Sequence, residues 1–317
     1  MLVTPGLFTS ALSTPPPDGK PVITKLGTLD CDMVETTPIV FHGRLYRFEY
    51  VRANYAPNTT GESYFRFIDV EAGRPTPAFA PGYHLGSAHV EGDTVYVWGV
   101  DAWGGSRIQA FWSRDLETWS SQPALSLPGW RIYNNSVCRG AERYVMAFEI
   151  GEPPEETGVR FTMRFAESDD LLTWALTPAD RVFSKDRYTA CPALRFLDGR
   201  YHMIYLEARP GPTYEPHIVR SPDLVAWESS PHNPVMQFSD EDKAIGNPDL
   251  TAEQRARIAG ALNRNNSDVD LCEFRGEVVI MYSWGDQVGT EFLARARYAG
   301  TLEQFLRAYF PGSEPPR

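Results

Sequence analysis

The sequence has no run of 18 apolar residues in its 317, too little for a helix that spans a membrane, and no membrane partner is expected. Positive charge is scarce: Lys+Arg is 30 against Asp+Glu 41, a net charge of −11 with a pI near 5.1. Nucleic acid is therefore not an expected partner, because phosphate-backbone binding needs a basic surface. The four cysteines, Cys31, Cys138, Cys191 and Cys272, lie far apart with no CxxC. That fits a reducing compartment better than a disulfide scaffold and gives no zinc spacing; they read as small packing residues. The start, MLVTPGLFTSALSTPPPDGKP, lacks a basic n-region and a continuous apolar h-region, so a cytoplasmic location is expected. What is present is core material. The chain is 42% hydrophobic and 13% aromatic, which excludes a wholly disordered protein.

An internal repeat organises the chain. Its first element is a hairpin, with copies at 38–50, 87–99, 135–149, 192–207 and 269–284, and turn glycines Gly43, Gly92, Gly140, Gly199 and Gly276. Glycine supplies the positive φ of tight hairpins, and the Val-, Ile-, Tyr- and Phe-rich flanks suit buried strands. The second element is Asp-Leu-x-x-Trp, closing at Trp119, Trp174 and Trp227, with AGTLEQFL (299–306) as a degenerate last copy. A unit of about 50 residues with no long helix is a propeller blade. The expected fold is all-β: a five-bladed β-propeller in one domain over 1–317, with an N-terminal extension at 1–25. The tryptophans read as wedges that pack between blades.

One interruption separates the last two turn glycines. Residues 229–266 form an insertion in which TAEQRARIAGAL (251–262) reads as a short helix before the last blade, opened by Pro248-Asp249. The segment ends at Asn265-Asn266, directly before Asp268, so it is expected to wall the face that carries the acids.

In a propeller the start of each first strand and the end of each second strand share one face. Eight residues before the turn glycines stand Glu35, His84, Cys191 and Asp268, with Asn134-Asn135 in the third unit. Alternation puts Asp270 on the face of Asp268, and the return strands end at Glu149, Glu207, and Trp284 with Asp286. Polar residues on inner strands are costly unless paired or functional. Glu35, Asp268, Asp270, Glu149 and Glu207 are the candidate catalytic carboxylates. His84, His89, Asn134, Asn135, Asp32, Arg187, Trp284 and Asp286 are candidate substrate contacts. No cofactor is required by this pattern; a calcium or sodium ion held by oxygen ligands on the channel axis is the alternative for the crowded acids.

From about Asp30 to Phe310 the sequence resembles the five-bladed β-propeller glycosidases, the clan of glycoside hydrolase family 43 and relatives such as family 117. The likeness rests on the hairpin repeat, on S-x-D-L-x-x-W at 113–119, 168–174 and 221–227, and on NNSDVDLCEFRGEVVIMYSWGDQ (265–287). Family 43 would place an Asp-Pro, an Asp and a Glu-Gly-Pro where this chain has Thr37-Pro38, Asn135-Ser136 and Ala190-Cys191-Pro192. Either the acids have moved along the same strands, or the chain is no standard member. The resemblance implies an exo-acting glycoside hydrolase that degrades small oligosaccharides with a carboxylate pair. A non-catalytic carbohydrate-binding propeller and a glycoside phosphorylase are the alternatives.

Overall fold

Apolar and β-branched residues fill the strands, and the strands pair almost wholly with their sequence neighbours. The structure, a computed structural model, describes residues 19–52, 63–211 and 213–312. Three sheets are successive antiparallel meanders. The first runs Thr36–Phe41, Arg44–Val51, Tyr64–Asp69 and Arg74–Pro75; the second His84–Glu91, Thr94–Val100, Arg107–Ser113 and Ser120–Ser126. The third runs Arg131–Arg139, Tyr144–Glu152 and Thr162–Ser168, finished by two short strands. The fourth sheet has eight strands. It holds two such meanders, one starting at Thr189–Leu197 and one at Asn265–Phe274, joined by a single parallel pairing of Tyr214 with Asn265. The innermost strands pack on one another in a closed circuit, the one at Asn265–Phe274 returning to Thr36–Phe41. This is a β-propeller. Among the described residues no helix is long and apolar enough to cross a membrane.

Thr24–Cys31, which the sequence divided between an N-terminal extension and the approach to the first unit, is instead the outer strand of the last meander, antiparallel to Glu291–Tyr298. Residues 1–18 of the expected extension lie outside the described residues. Four of the five turn glycines have positive φ, Gly43, Gly92, Gly199 and Gly276. Gly140 does not; that turn is longer and closes through Gly140 N–H to the Arg143 carbonyl at 2.8 Å.

The S-x-D-L-x-x-W repeat has a single physical explanation in all three copies. In the second copy the Ser168 hydroxyl accepts from Leu171 N–H at 2.9 Å, and the Asp170 carboxylate accepts from the Leu172 and Thr173 amides at 2.9 and 2.7 Å. Ser113 with Asp115 and Ser221 with Asp223 repeat the pattern. The amides hold these carboxyls below the usual range. The turn tips a leucine into the core at positive φ (Leu116, Leu171, Leu224) and delivers each tryptophan to a seam between neighbouring meanders. Trp119 stacks on Phe79 at 3.8 Å, Trp174 meets Trp98 edge-on at 5.8 Å, and Trp227 lies against Phe165 and Phe183. The last stretch, 299–306, departs from the pattern. It starts the helix Leu302–Ala308, capped reciprocally by Thr301 and Gln304.

The insertion packs along the outer edge of the last meander. Its helix spans Ala252–Gly260 and is opened by Thr251 rather than Pro248-Asp249. The segment covers the edge of Thr24–Cys31: Thr28 N–H donates to the Ala244 carbonyl at 2.7 Å, and Arg257 grips Asp32 at 2.7 and 2.9 Å. Buried Asp242 anchors it, accepting from Asn263, Asn266 and Tyr282 and pairing with Lys25 at 2.7 Å. An unpaired edge strand is a site of unwanted pairing, and this cover removes it.

Candidate active site

A β-bulge at the mouth of the inner strands builds the site. Pairing slips between Ile132 and Asn135, His84 and Ser87, Ala190 and Ala193, and Ser267 and Asp270. At this level Glu35, Leu85, Cys191 and Asp268 all have positive φ, between 48° and 53°. Such values are uncommon for residues with a side chain, and their recurrence at one level re-aims four side chains. A cavity of about 30 Å³ lies between them, lined by Glu35, Gly86, Asn134, Cys191, Asp268 and their neighbours. That is room for water, not for a sugar ring.

Glu35 approaches from the first meander, its side chain 10% exposed. Burial pushes its carboxyl up to about 8 against the pull of Arg52, with Asp268 and Glu149 adding to the rise. Arg52 lies 3.4 Å from Oε1 and is sandwiched over the Tyr50 and Trp103 rings, at 5.1 and 4.7 Å. Oε2 is buried with no hydrogen-bond partner among the described residues. Glu149 comes from the second strand of the third meander. Its Oε2 accepts from Asn134 at 3.1 Å and Cys191 N–H at 3.0 Å, yet burial pushes it up to about 7, Asp268 contributing. Asp268 Oδ2 accepts from the Ser283 hydroxyl at 2.7 Å, and the Cys191 thiol also bonds Asp268. Behind it, buried Glu291 is pushed up to about 8, chiefly by burial and also by Asp268.

Three of the five sequence-selected carboxylates, Glu35, Glu149 and Asp268, therefore come together. Asp270 lines the same cavity, but the bulge turns it to Arg195 at 2.6 Å. Glu207 stays out on the rim, held by Tyr205 at 2.7 Å and flanked by Arg187, Arg209 and His217. Arg187 shares that rim and pairs with Asp186 at 3.2 Å.

The predicted contacts divide in the same way. Asn134 is in the cluster. Asn135 lines the cavity but is spent on the fold, bonding the Leu85 and Trp98 carbonyls and Ser87. His84 is one step off the expected level, because the bulge gives that place to Leu85. It sits buried on Tyr50 at 2.5 Å, and burial, then Arg52, lowers its basicity. His89 lies at the opposite mouth, in a separate cavity of about 440 Å³ with Arg139 and Arg195, because five further residues of strand carry it through the channel. Trp284 is fully buried, stacked on Phe292 at 4.5 Å and bonded to Thr28, so it offers no face to a sugar. Asp286 caps its own turn through Val288 and Thr290 N–H, and Asp32 belongs to Arg257. Among the described residues no group of three or more His, Cys, Asp or Glu is disposed to hold a metal ion.

Sequence reasoning passed over Arg52, Glu291 and a row of aromatic rings. From His84 the row runs Trp103, Tyr133, Phe161, Tyr188 and Tyr214, each ring centre 4.9–6.4 Å from the next. All belong to strand ends and loops at the acid mouth. Burial, with Glu149 and Asp268 nearby, holds the Tyr188 phenol well above its usual range, a fixed donor beside the acids. No spacing in the sequence links these rings, which come from separate connections.

Three buried protonated glutamates make stability pH-dependent. Unfolded, each titrates near 4.5; folded, Glu35, Glu149 and Glu291 hold protons to about 8, 7 and 8. The folded state binds more protons between those limits, so stability falls as pH rises through them. The thermal midpoint is expected to drop from pH 5 to pH 8, and Glu291→Gln to flatten the drop. A midpoint that climbs over this window would contradict the assignment.

No protein-family model matches this sequence, and no curated protein matches it. Solved structures do match in fold. A glycoside hydrolase aligns with TM-score 0.56 at 14% identity, covering 95% of each chain. A thermostable family-43 glycoside hydrolase aligns with TM-score 0.57 at 12% identity, over 87% of this chain and 92% of that one. A family-43 β-xylosidase/α-arabinofuranosidase from a compost microbial metagenome, solved with xylotriose, aligns with TM-score 0.54 at 14% identity, over 87% and 93%. At such identities the likeness is one of fold: over most of its length the chain is similar to the β-propellers of glycoside hydrolase family 43.

Proposed function

We propose that this chain is an exo-acting glycoside hydrolase for small oligosaccharides, built as a single five-bladed propeller domain with its chemistry at one mouth of the channel. The closed circuit of inner strands supports the blade number, the eight-stranded sheet counting as two blades bridged at one residue pair. The observation that carries the function is the clustering of three acids at one small cavity: Glu35 and Asp268 line it, Glu149 is bonded to its lining residues Asn134 and Cys191, and burial raises the proton affinity of both glutamates.

Glycoside hydrolysis needs one carboxylic acid to protonate the leaving oxygen and one carboxylate to activate water or attack the sugar. Glu35 keeps its proton to about 8 and has a free buried oxygen, which suits the acid. Asp268 accepts from Ser283 and Cys191, which suits the carboxylate. Glu149 supports the separation, since like charges nearby discourage ionisation of Glu35. The aromatic row offers apolar faces to sugar rings outside the cavity.

A second reading, a carbohydrate-binding propeller without catalysis, is favoured by one observation. Ala190 stands where the family 43 pattern has its glutamate, and the next residue, Cys191, donates its backbone N–H to Glu149. A panel of aryl glycosides and short oligosaccharides decides between them. Release of one terminal sugar per event, lost in Glu35→Gln, supports the hydrolase. Binding without release supports the module.

A further inference from the structure

We propose that Gln287 is a positioning residue: acting through the hydroxyls of Ser267 and Ser283, it commits Asp268 to accepting hydrogen bonds and so to the carboxylate side of the reaction. This rests on the hydrolase reading above. Ser267 and Ser283 face each other across the first two strands of the last meander, both buried. The Ser283 hydroxyl donates to Asp268 Oδ2 at 2.7 Å. A serine has one hydroxyl hydrogen. In the 2.9 Å contact between the two serines, Ser283 must therefore accept and Ser267 donate. Ser267 in turn accepts from the Gln287 side-chain amide at 3.0 Å. An amide nitrogen only donates, so every bond in the chain points one way, from Gln287 to Asp268. In this sense of the row Oδ2 accepts, which suits the ionised carboxylate; without the Gln287 donor the two serine hydroxyls are freer to turn and accept a proton from Oδ2.

The loop is built to hold Gln287 there. Its φ is 59°, its N–H donates to Glu291 Oε1 at 2.7 Å, and Asp286 ties the following turn. The other groups facing Asp268 are Glu35, Glu149 and Glu291, the Cys191 thiol and the Tyr188 phenol. All three carboxyls favour a neutral Asp268 whenever they are ionised. The donor row is the element that opposes them.

Gln287→Met keeps the side-chain length and removes the donor. The readout is the ¹³C titration of the Asp268 carboxyl in aspartate-labelled protein, its signal assigned by its absence in Asp268→Asn. We expect the midpoint to rise by roughly 0.3–0.5 pH unit in Gln287→Met, less than for a hydrogen bond lost at the carboxylate itself, because Ser283 still donates to Asp268. The acid limb of kcat/KM should move with it while circular dichroism stays unchanged. An unmoved midpoint overturns the proposal even if activity falls. The role of Asp268 as the reacting carboxylate fails separately, if Asp268→Asn keeps its turnover, and the hydrolase reading fails if the wild type releases no sugar from any glycoside of the panel.

Discussion

Asp268→Asn and Glu35→Gln should each lower kcat by roughly 10²–10⁴-fold with the fold intact, the usual cost of removing a general acid or base. Both substitutions are near-isosteric. The amide introduced by Asp268→Asn still offers an oxygen to the Ser283 hydroxyl, and Glu35→Gln keeps the shape of a carboxyl that is already protonated in the folded protein. The losses should therefore appear in turnover and not in the melting midpoint. The two variants should also differ in pH dependence. Above about 8 wild-type activity should fall as Glu35 ionises; in Glu35→Gln that alkaline limb should disappear with the activity. Assays from pH 4 to 10 with a cleavable aryl glycoside check both points. Near wild-type turnover in both would move the chemistry to Glu149, or leave the binding module as the better account.

Trp174→Ala should produce the largest loss of stability, about 3–5 kcal/mol, as expected for a large-to-small change at a packed site. Trp174 is 5% exposed, meets Trp98 across the seam between the second and third meanders, and donates its indole N–H to the Leu171 carbonyl at 3.1 Å. Trp98 reaches the same carbonyl at 3.1 Å. Truncation opens a cavity at a seam where two sheets share one acceptor. The melting midpoint should drop on the order of 10 °C. Turnover per folded molecule should hold, since Trp174 does not line the acid cavity. Trp119→Phe, which keeps a ring on Phe79, should cost far less. A Trp174→Ala protein that melts like wild type would show that the seams are not where the propeller gains its stability.

Some of this was legible in the order of residues alone, because it depends on local chemistry. The hairpin turns need a positive φ, which marks Gly43, Gly92, Gly199 and Gly276. The S-x-D-L-x-x-W turn is closed by its own serine and aspartate, so three copies announce themselves without any tertiary contact. Strand alternation counted back from the turns was enough to select Glu35, Asp268 and Glu149. It misplaced what bulges and packing control. One extra residue at the mouth of four inner strands moved His84 off the cavity and turned Asp270 toward Arg195. Whether an acid remains available depends on its neighbours in space, which gave Asp32 to Arg257 and Glu207 to the rim cations. The insertion's location was decided by an exposed strand edge that exists only once Thr24–Cys31 has closed the last sheet. The surroundings of each acid were decided last of all. Glu35 and Asp268 are both carboxylic acids in the sequence; only the tertiary structure buries Glu35 beside Arg52 and gives Asp268 a row of hydroxyls.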